Sequence, residues 1–179
     1  MFRRVQLPFG VAGSLFLHSM PGRREPLEHV WTQVRRDNIQ TLVALAEMGE
    51  IRTKSPAYAV ALESNAVPCV VEAFPVPDYA VPDDRPAFLA LASKVAQRLR
   101  AGDRVLVHCG AGIGRTGTLA ICILLALGEP QQEATNVVST AGSHPETPEQ
   151  RQLISWCAAQ VESGKGSQPA APLARQKLF

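Results

Sequence analysis

Charge of one sign is in short supply in this chain. Its 179 residues carry 18 Lys and Arg against 16 Asp and Glu, a formal net charge of +2. That balance argues against nucleic acid or an anionic membrane surface as a partner, because such binding is carried by clustered basic side chains. The pairs Arg3-Arg4, Arg23-Arg24 and Arg35-Arg36 are scattered and read as solvated surface. No stretch approaches the eighteen or more apolar residues of a membrane span, and no apolar run of signal-peptide length follows a basic start. The cysteines, Cys69, Cys109, Cys122 and Cys157, form no CxxC pair and no metal-like spacing with the histidines, so thiols are expected rather than a zinc site. These absences point to a cytoplasmic chain without metal or other cofactor, and a monomer is expected.

Apolar residues make up 46% and charged residues 19%, the range of a globular domain and far from that of a disordered one. The length suits one domain, expected over 1–163, with a Gly-, Pro- and Gln-rich tail over 164–179 read as a flexible extension. Strand-like and helix-like segments alternate, the pattern of an α/β layer sandwich. Strands are expected at Ser14–Leu17, Ile39–Leu45, Cys69–Phe74 and Arg104–His108, and helices at Leu27–Arg36, Pro56–Ser64, Pro86–Arg100, Thr116–Leu127, Gln131–Thr140 and Pro148–Glu162. Phe88, Leu91, Val95 and Leu99 form an amphipathic stripe, whereas Thr116–Leu127 is apolar nearly all round and suits a helix buried against the sheet. Between Pro75 and Asp84 three prolines forbid both helix and central strand, so a loop is expected there. Cys69, Cys122, Cys157, Trp31 and Trp156 read as packing residues.

The chemistry concentrates where the expected strand Arg104–His108 runs into Cys109-Gly110-Ala111-Gly112-Ile113-Gly114-Arg115-Thr116. Glycines let successive backbone N–H groups turn inward as a nest for oxygens, and a helix starting near Arg115 aims its unpaired N–H groups and positive end at the same point. Arg115 adds a planar guanidinium able to hold two phosphate oxygens. Such a field favours a thiolate, which makes Cys109 a nucleophile able to form a phosphocysteine. Gly110, Ala111, Gly112, Ile113, Gly114 and Arg115 are the expected phosphate-binding residues. Thr116 can donate its hydroxyl to the departing sulfur, and His108 is expected to orient the loop rather than to move protons.

The first step needs an acid for the leaving oxygen and the second a base for water, and one carboxyl can serve both. Asp78, in the proline-rich loop, is the candidate; Asp83 and Asp84 are rivals better suited to capping the helix near Pro86. Gln150, behind Thr147-Pro148, either positions the attacking water or is an ordinary surface glutamine near a helix start.

The motif HCxxGxxRT, spelled here by His108 through Thr116, is the signature loop of the protein tyrosine phosphatase superfamily, which the chain resembles. The resemblance extends to Ser14–Leu17 and Pro21-Gly22, to Pro77-Asp78, and to Glu146-Thr147-Pro148-Glu149-Gln150, and covers roughly residues 10 to 160. Size and layout are similar to compact dual-specificity enzymes, most nearly the kinase-associated phosphatase type. The resemblance implies a central, mostly parallel sheet of about five strands flanked by helices. It also implies Cys109 as nucleophile, Arg115 as phosphate ligand, Asp78 as general acid, and Thr116 and Gln150 as aids to the second step. The implied substrate is a phosphorylated protein or peptide. Neutral Ala111 and Ile113 lower the prospect of highly charged lipid headgroups, since phosphoinositide-specific relatives often place lysines in the loop. A phosphoinositide, nucleotide or RNA 5′-phosphate is the alternative substrate, and a non-catalytic phosphate-binding module the alternative class. Gly112-Ile113-Gly114-Arg115-Thr116-Gly117 also spells GxGxxG, but the second strand and terminal acid of a dinucleotide site do not follow.

Overall fold

A computed structural model describes residues 1–166 of the chain. In chain order the elements are β1 (Arg3–Val5), β2 (Ser14–His18), α1 (Leu27–Arg36), β3 (Thr41–Ala44), α2 (Met48–Lys54), α3 (Pro56–Glu63), β4 (Val70–Ala73), α4 (Arg85–Arg100), β5 (Arg104–His108), α5 (Gly114–Leu127), α6 (Gln131–Thr140) and α7 (Pro148–Gly166). The strands form one 5-stranded sheet in the order β1-β2-β5-β3-β4. All neighbours run parallel except β1, which pairs antiparallel with β2. This is the α/β architecture expected from the alternation of segments.

The central strand β5 shows why the sheet is covered on both faces. Val105 and Val107 point into a core with α4, α5, α6 and α7, while Leu106 points into a second core with α1, α2 and α3. A run buried on both faces is the signature of a parallel strand between helix layers. Helix α5 packs against α4, α6 and α7 as well as β5, which explains its apolar character all round. Leu119, Ile121 and Leu124 on it are fully buried, each stabilising the fold by about 1.5–3 kcal/mol relative to exposure. Asp84 caps α4 by accepting from Ala87 N at 2.8 Å, and Thr147 caps α7 by accepting from Gln150 N at 3.2 Å.

Two elements were not legible from periodicity. β1 has three residues, too few to show alternation, and α2 (MGEIRTK) buries only Ile51. Strand β4 differs in its setting: it is an edge of the sheet, Val70 is exposed, and Cys69 beside it is half-buried against the margin of the second core rather than inside it. Cys122 and Cys157 are buried in the core, as expected. Helix α7 continues to Gly166, past the expected start of the tail at Gly164; the rest of the tail, 167–179, lies outside the described residues. Among the described residues no helix is long and apolar enough to cross a membrane.

Candidate active site

Strands β2, β5 and β3 are adjacent and parallel, with His108 in register with His18 on one side and Ala44 on the other. Three chain segments therefore leave the sheet at one edge. In open parallel sheets this carboxyl edge is where ligands bind. The three exits are His18-Ser19-Met20 after β2, the loop from Cys109 after β5, and the turn into α2 after β3.

The loop is held from outside by its carbonyls. His108 Nδ1 lies 3.0 Å from Cys109 O, Met20 N donates to Gly110 O at 3.1 Å, and Arg3 Nη2 and Ser143 Oγ donate to Gly112 O at 2.5 and 2.7 Å. In a trans peptide the next N–H points opposite to the carbonyl. The bonds thus turn the N–H groups of Gly110, Ala111 and Ile113 to the inner side of the loop, while Gly112 N donates to Cys109 Sγ at 3.3 Å. Gly112 is required on two counts: its φ is +77°, and a Cβ there would overlap the His18 carbonyl. Cys109 is 2% exposed at the centre of this arrangement.

His108 is fully buried, and its ring is fixed at both ends. Because Cys109 O can only accept, Nδ1 carries the proton; Nε2, 2.9 Å from Tyr58 Oη, then accepts from the tyrosine hydroxyl. Burial disfavours the imidazolium and lowers the His108 pKa to about 4. The ring is therefore neutral and bonded to the loop at Cys109 O. The Tyr58 phenol is pushed up by burial.

Arg115 comes from the first turn of α5, its side chain 2% exposed. Nη1 donates to Glu50 Oε2 and to Val76 O, both at 2.8 Å, and Nη2 to Glu50 Oε1 at 3.0 Å and Asp78 Oδ1 at 2.7 Å. This two-point grip by Glu50 fixes the plane of the guanidinium. Burial works against the Glu50 charge, but hydrogen bonds from Arg115 and Lys54 outweigh it and hold the carboxyl at about 2. Lys54 Nζ bridges Glu50 at 2.7 Å and Asp78 at 3.2 Å. Asp78 is brought to the site on the proline-rich loop, with its side chain 46% exposed, and Tyr79 beside it is exposed with φ +59°.

The remaining sequence candidates fall in three places. Gln150 is 1% exposed, not a surface glutamine: its Oε1 accepts from Glu146 N at 2.8 Å, its Nε2 donates to Ala80 O at 3.2 Å, and Oε1 faces Gly114. The Thr116 hydroxyl is buried without a hydrogen-bond partner among the described residues, so the expected bond to the sulfur is not formed in this arrangement. Asp84 caps α4 and Asp83 is exposed ahead of it, which leaves Asp78 as the carboxyl of that loop facing Arg115.

Sequence reasoning missed Glu50, Lys54, Tyr58, Arg3 and Ser143. For Glu50 a signal was present: a carboxylate a few residues beyond a strand that neighbours the strand feeding the loop. Lys54 follows Glu50 at the i,i+4 spacing of a helical ion pair, whereas Tyr58, Arg3 and Ser143 had no signal, since each acts through a contact made across the fold.

A family model described as "Polymorphic toxin system, DSP-PTPase phosphatase" matches residues 18–129. The human tyrosine-protein phosphatase non-receptor type 4 is 47% identical over 55 residues, which span 27% of this chain and only 6% of that enzyme. The crystal structure of kinase associated phosphatase, with its catalytic-site cysteine replaced by serine, superposes with a TM-score of 0.77 at 16% identity, covering 91% of this chain and 96% of that one. PTPMT1 superposes at 0.71 and 19% identity over 94% of this chain and all of its own, and has also been solved in complex with PI(5)P. These likenesses establish a compact dual-specificity phosphatase fold. With more than half its length matched, from the end of β2 through β3, β4, β5, the cysteine loop and α5, the chain belongs to the polymorphic-toxin-system DSP-PTPase phosphatase family.

Proposed function

We propose that the protein hydrolyses phosphomonoesters in proteins, on tyrosine and/or serine and threonine, through a phosphocysteine intermediate. The observation that carries the reading is the loop of Cys109 to Arg115, with its carbonyls bonded outward and Arg115 held flat by Glu50. Arg115 Nε makes no hydrogen bond among the described residues. Together with the Nη2 proton held by Asp78, it forms an edge matched to two phosphate oxygens.

In the first step the Cys109 thiolate attacks phosphorus, a P–S bond forms, and the P–O bond to the leaving group breaks. Asp78 gives its proton to the departing oxygen. In the second step water attacks phosphorus, its proton passes to the Asp78 carboxylate, and the P–S bond breaks to regenerate the thiolate. The inward N–H groups and Arg115 stabilise the charge on the equatorial oxygens in both steps. In this reading Gln150, buried with its Oε1 facing Gly114, orients the water, and the buried Thr116 hydroxyl serves the leaving sulfur.

Protein phosphates are favoured over phosphoinositides by the neutral Ala111 and Ile113. The likeness to PTPMT1, solved with PI(5)P, makes a lipid headgroup the second reading. The test is hydrolysis of p-nitrophenyl phosphate from pH 5 to 8 by wild type, Cys109→Ser and Asp78→Ala, followed by phosphotyrosine and phosphothreonine peptides and PI(5)P. The reading expects a dead Cys109→Ser enzyme, an Asp78→Ala enzyme without the acid limb, and preference for peptides. An inert wild type that still binds tungstate would instead make the chain a binding module.

A further inference from the structure

Arg3 lies on β1, far from the loop in sequence, and its guanidinium has no carboxylate partner among the described residues. Its hydrogen bonds all go to backbone carbonyls. Nη2 donates to Gly112 O at 2.5 Å, and Nη1 to Ala141 O at 3.3 Å and to Gly142 O. Arg3 is half-buried, and the water its guanidinium loses is replaced by three backbone carbonyls, which hold the side chain in one place against the loop. Burial lowers the Arg3 pKa, and the neighbouring Cys109 charge works in the opposite direction. Through its bond to Gly112 O the cation sits on the outer side of the loop that carries Cys109.

The surroundings fix that position. Phe2 is buried against Phe16 and His18, and Arg3 is paired with Leu17, so β1 cannot slide. Ser143, fully buried between α6 and α7, donates to the same Gly112 carbonyl. Gly112 itself stands at φ +77° above the His18 carbonyl. A glycine peptide is free to rotate unless held, and rotation of this one would swing the Ile113 N–H out of the loop.

We propose that Arg3 and Ser143 are positioning residues: they clamp the Gly112 carbonyl outward, which keeps the Ile113 N–H aimed at the bound phosphate. The proposal rests on the loop being the phosphate site. It makes the first strand of the chain part of the loop's support, although β1 supplies no group that touches substrate.

The test uses tungstate, whose binding can be measured by calorimetry without turnover, alongside p-nitrophenyl phosphate hydrolysis and thermal melting. Arg3→Met, which keeps the length and removes the donors, is expected to weaken tungstate binding about 10-fold or more at a temperature where the variant is folded. Arg3→Lys should recover part of that loss. Ser143→Ala should weaken binding in the same sense, and the double variant should lose less than the product of the two single losses, because both act on one carbonyl. Ser143→Ala also decides the matter should Arg3→Met not fold. Tungstate binding within twofold of wild type in the folded variants would overturn the clamp, even if wild type proves an active phosphatase. A 10-fold loss in a protein that turns over no phosphoester would uphold the clamp and sink the catalytic reading. A wild type that binds no tungstate would sink both.

Discussion

Replacing Glu50 by Gln keeps the shape of the side chain and removes the charge that grips Arg115. The two side chains are 9% and 2% exposed, so the pair is nearly dry. Hydrogen bonds from Arg115 and Lys54, opposed by burial, hold Glu50 at about 2 instead of 4.5. At about 1.4 kcal/mol per pH unit the difference amounts to at most about 3 kcal/mol. Lys54 is partly solvated, which screens its share and leaves a net contribution of about 2–3 kcal/mol. The folded value lies below the unfolded one, so the contribution is complete above about pH 5 and is lost as the pH falls through 4.5 toward 2. At pH 3 somewhat under half of it remains. Urea unfolding of wild type and Glu50→Gln at pH 7 and pH 3 reads both quantities. The expected result is a loss of about 2–3 kcal/mol at pH 7, about 4–10 °C in melting temperature, shrinking by half or more at pH 3. A loss below about 0.5 kcal/mol at pH 7, or the same loss at both pH values, would refute the reasoning. With Arg115 no longer held flat, kcat/KM should also fall about 10- to 100-fold.

The other expectations concern the loop and its histidine. Gly112→Ala must place a side chain at φ +77° and against the His18 carbonyl; it should cost several kcal/mol, about 3 or more, and abolish tungstate binding, both readable by melting and calorimetry. Tyr58→Phe leaves His108 Nε2 buried without its donor and should cost about 1–3 kcal/mol in urea unfolding. His108 sits at about 4, below its ordinary 6.5, so the unfolded chain takes up that proton first. Stability should therefore fall as the pH drops from about 6.5 toward 4, above most of the Glu50 window, and His108→Gln should flatten that part of the curve.

The amino-acid sequence by itself determined the alternation of elements, the buried central strand, and the loop from Cys109 to Arg115. These features are local: strand period, glycine spacing and capping residues act within one or two turns of chain, so they can be read in order. Asp78 was legible in part, because prolines around it forced a loop. Its contact with Arg115 required the fold. The grip of Glu50 on Arg115, the Tyr58–His108 bond that sets the tautomer, the Lys54 bridge and the reach of Arg3 to Gly112 were decided by tertiary structure alone. Apart from the i,i+4 half of the Lys54 bridge, each joins residues far apart in the chain, brought together because β2, β5 and β3 end at one edge and β1 folds back beside β2. Gln150 makes the same point: its sequence neighbourhood suits a surface helix start, and it is buried because α7 docks against α5 beside Gly114.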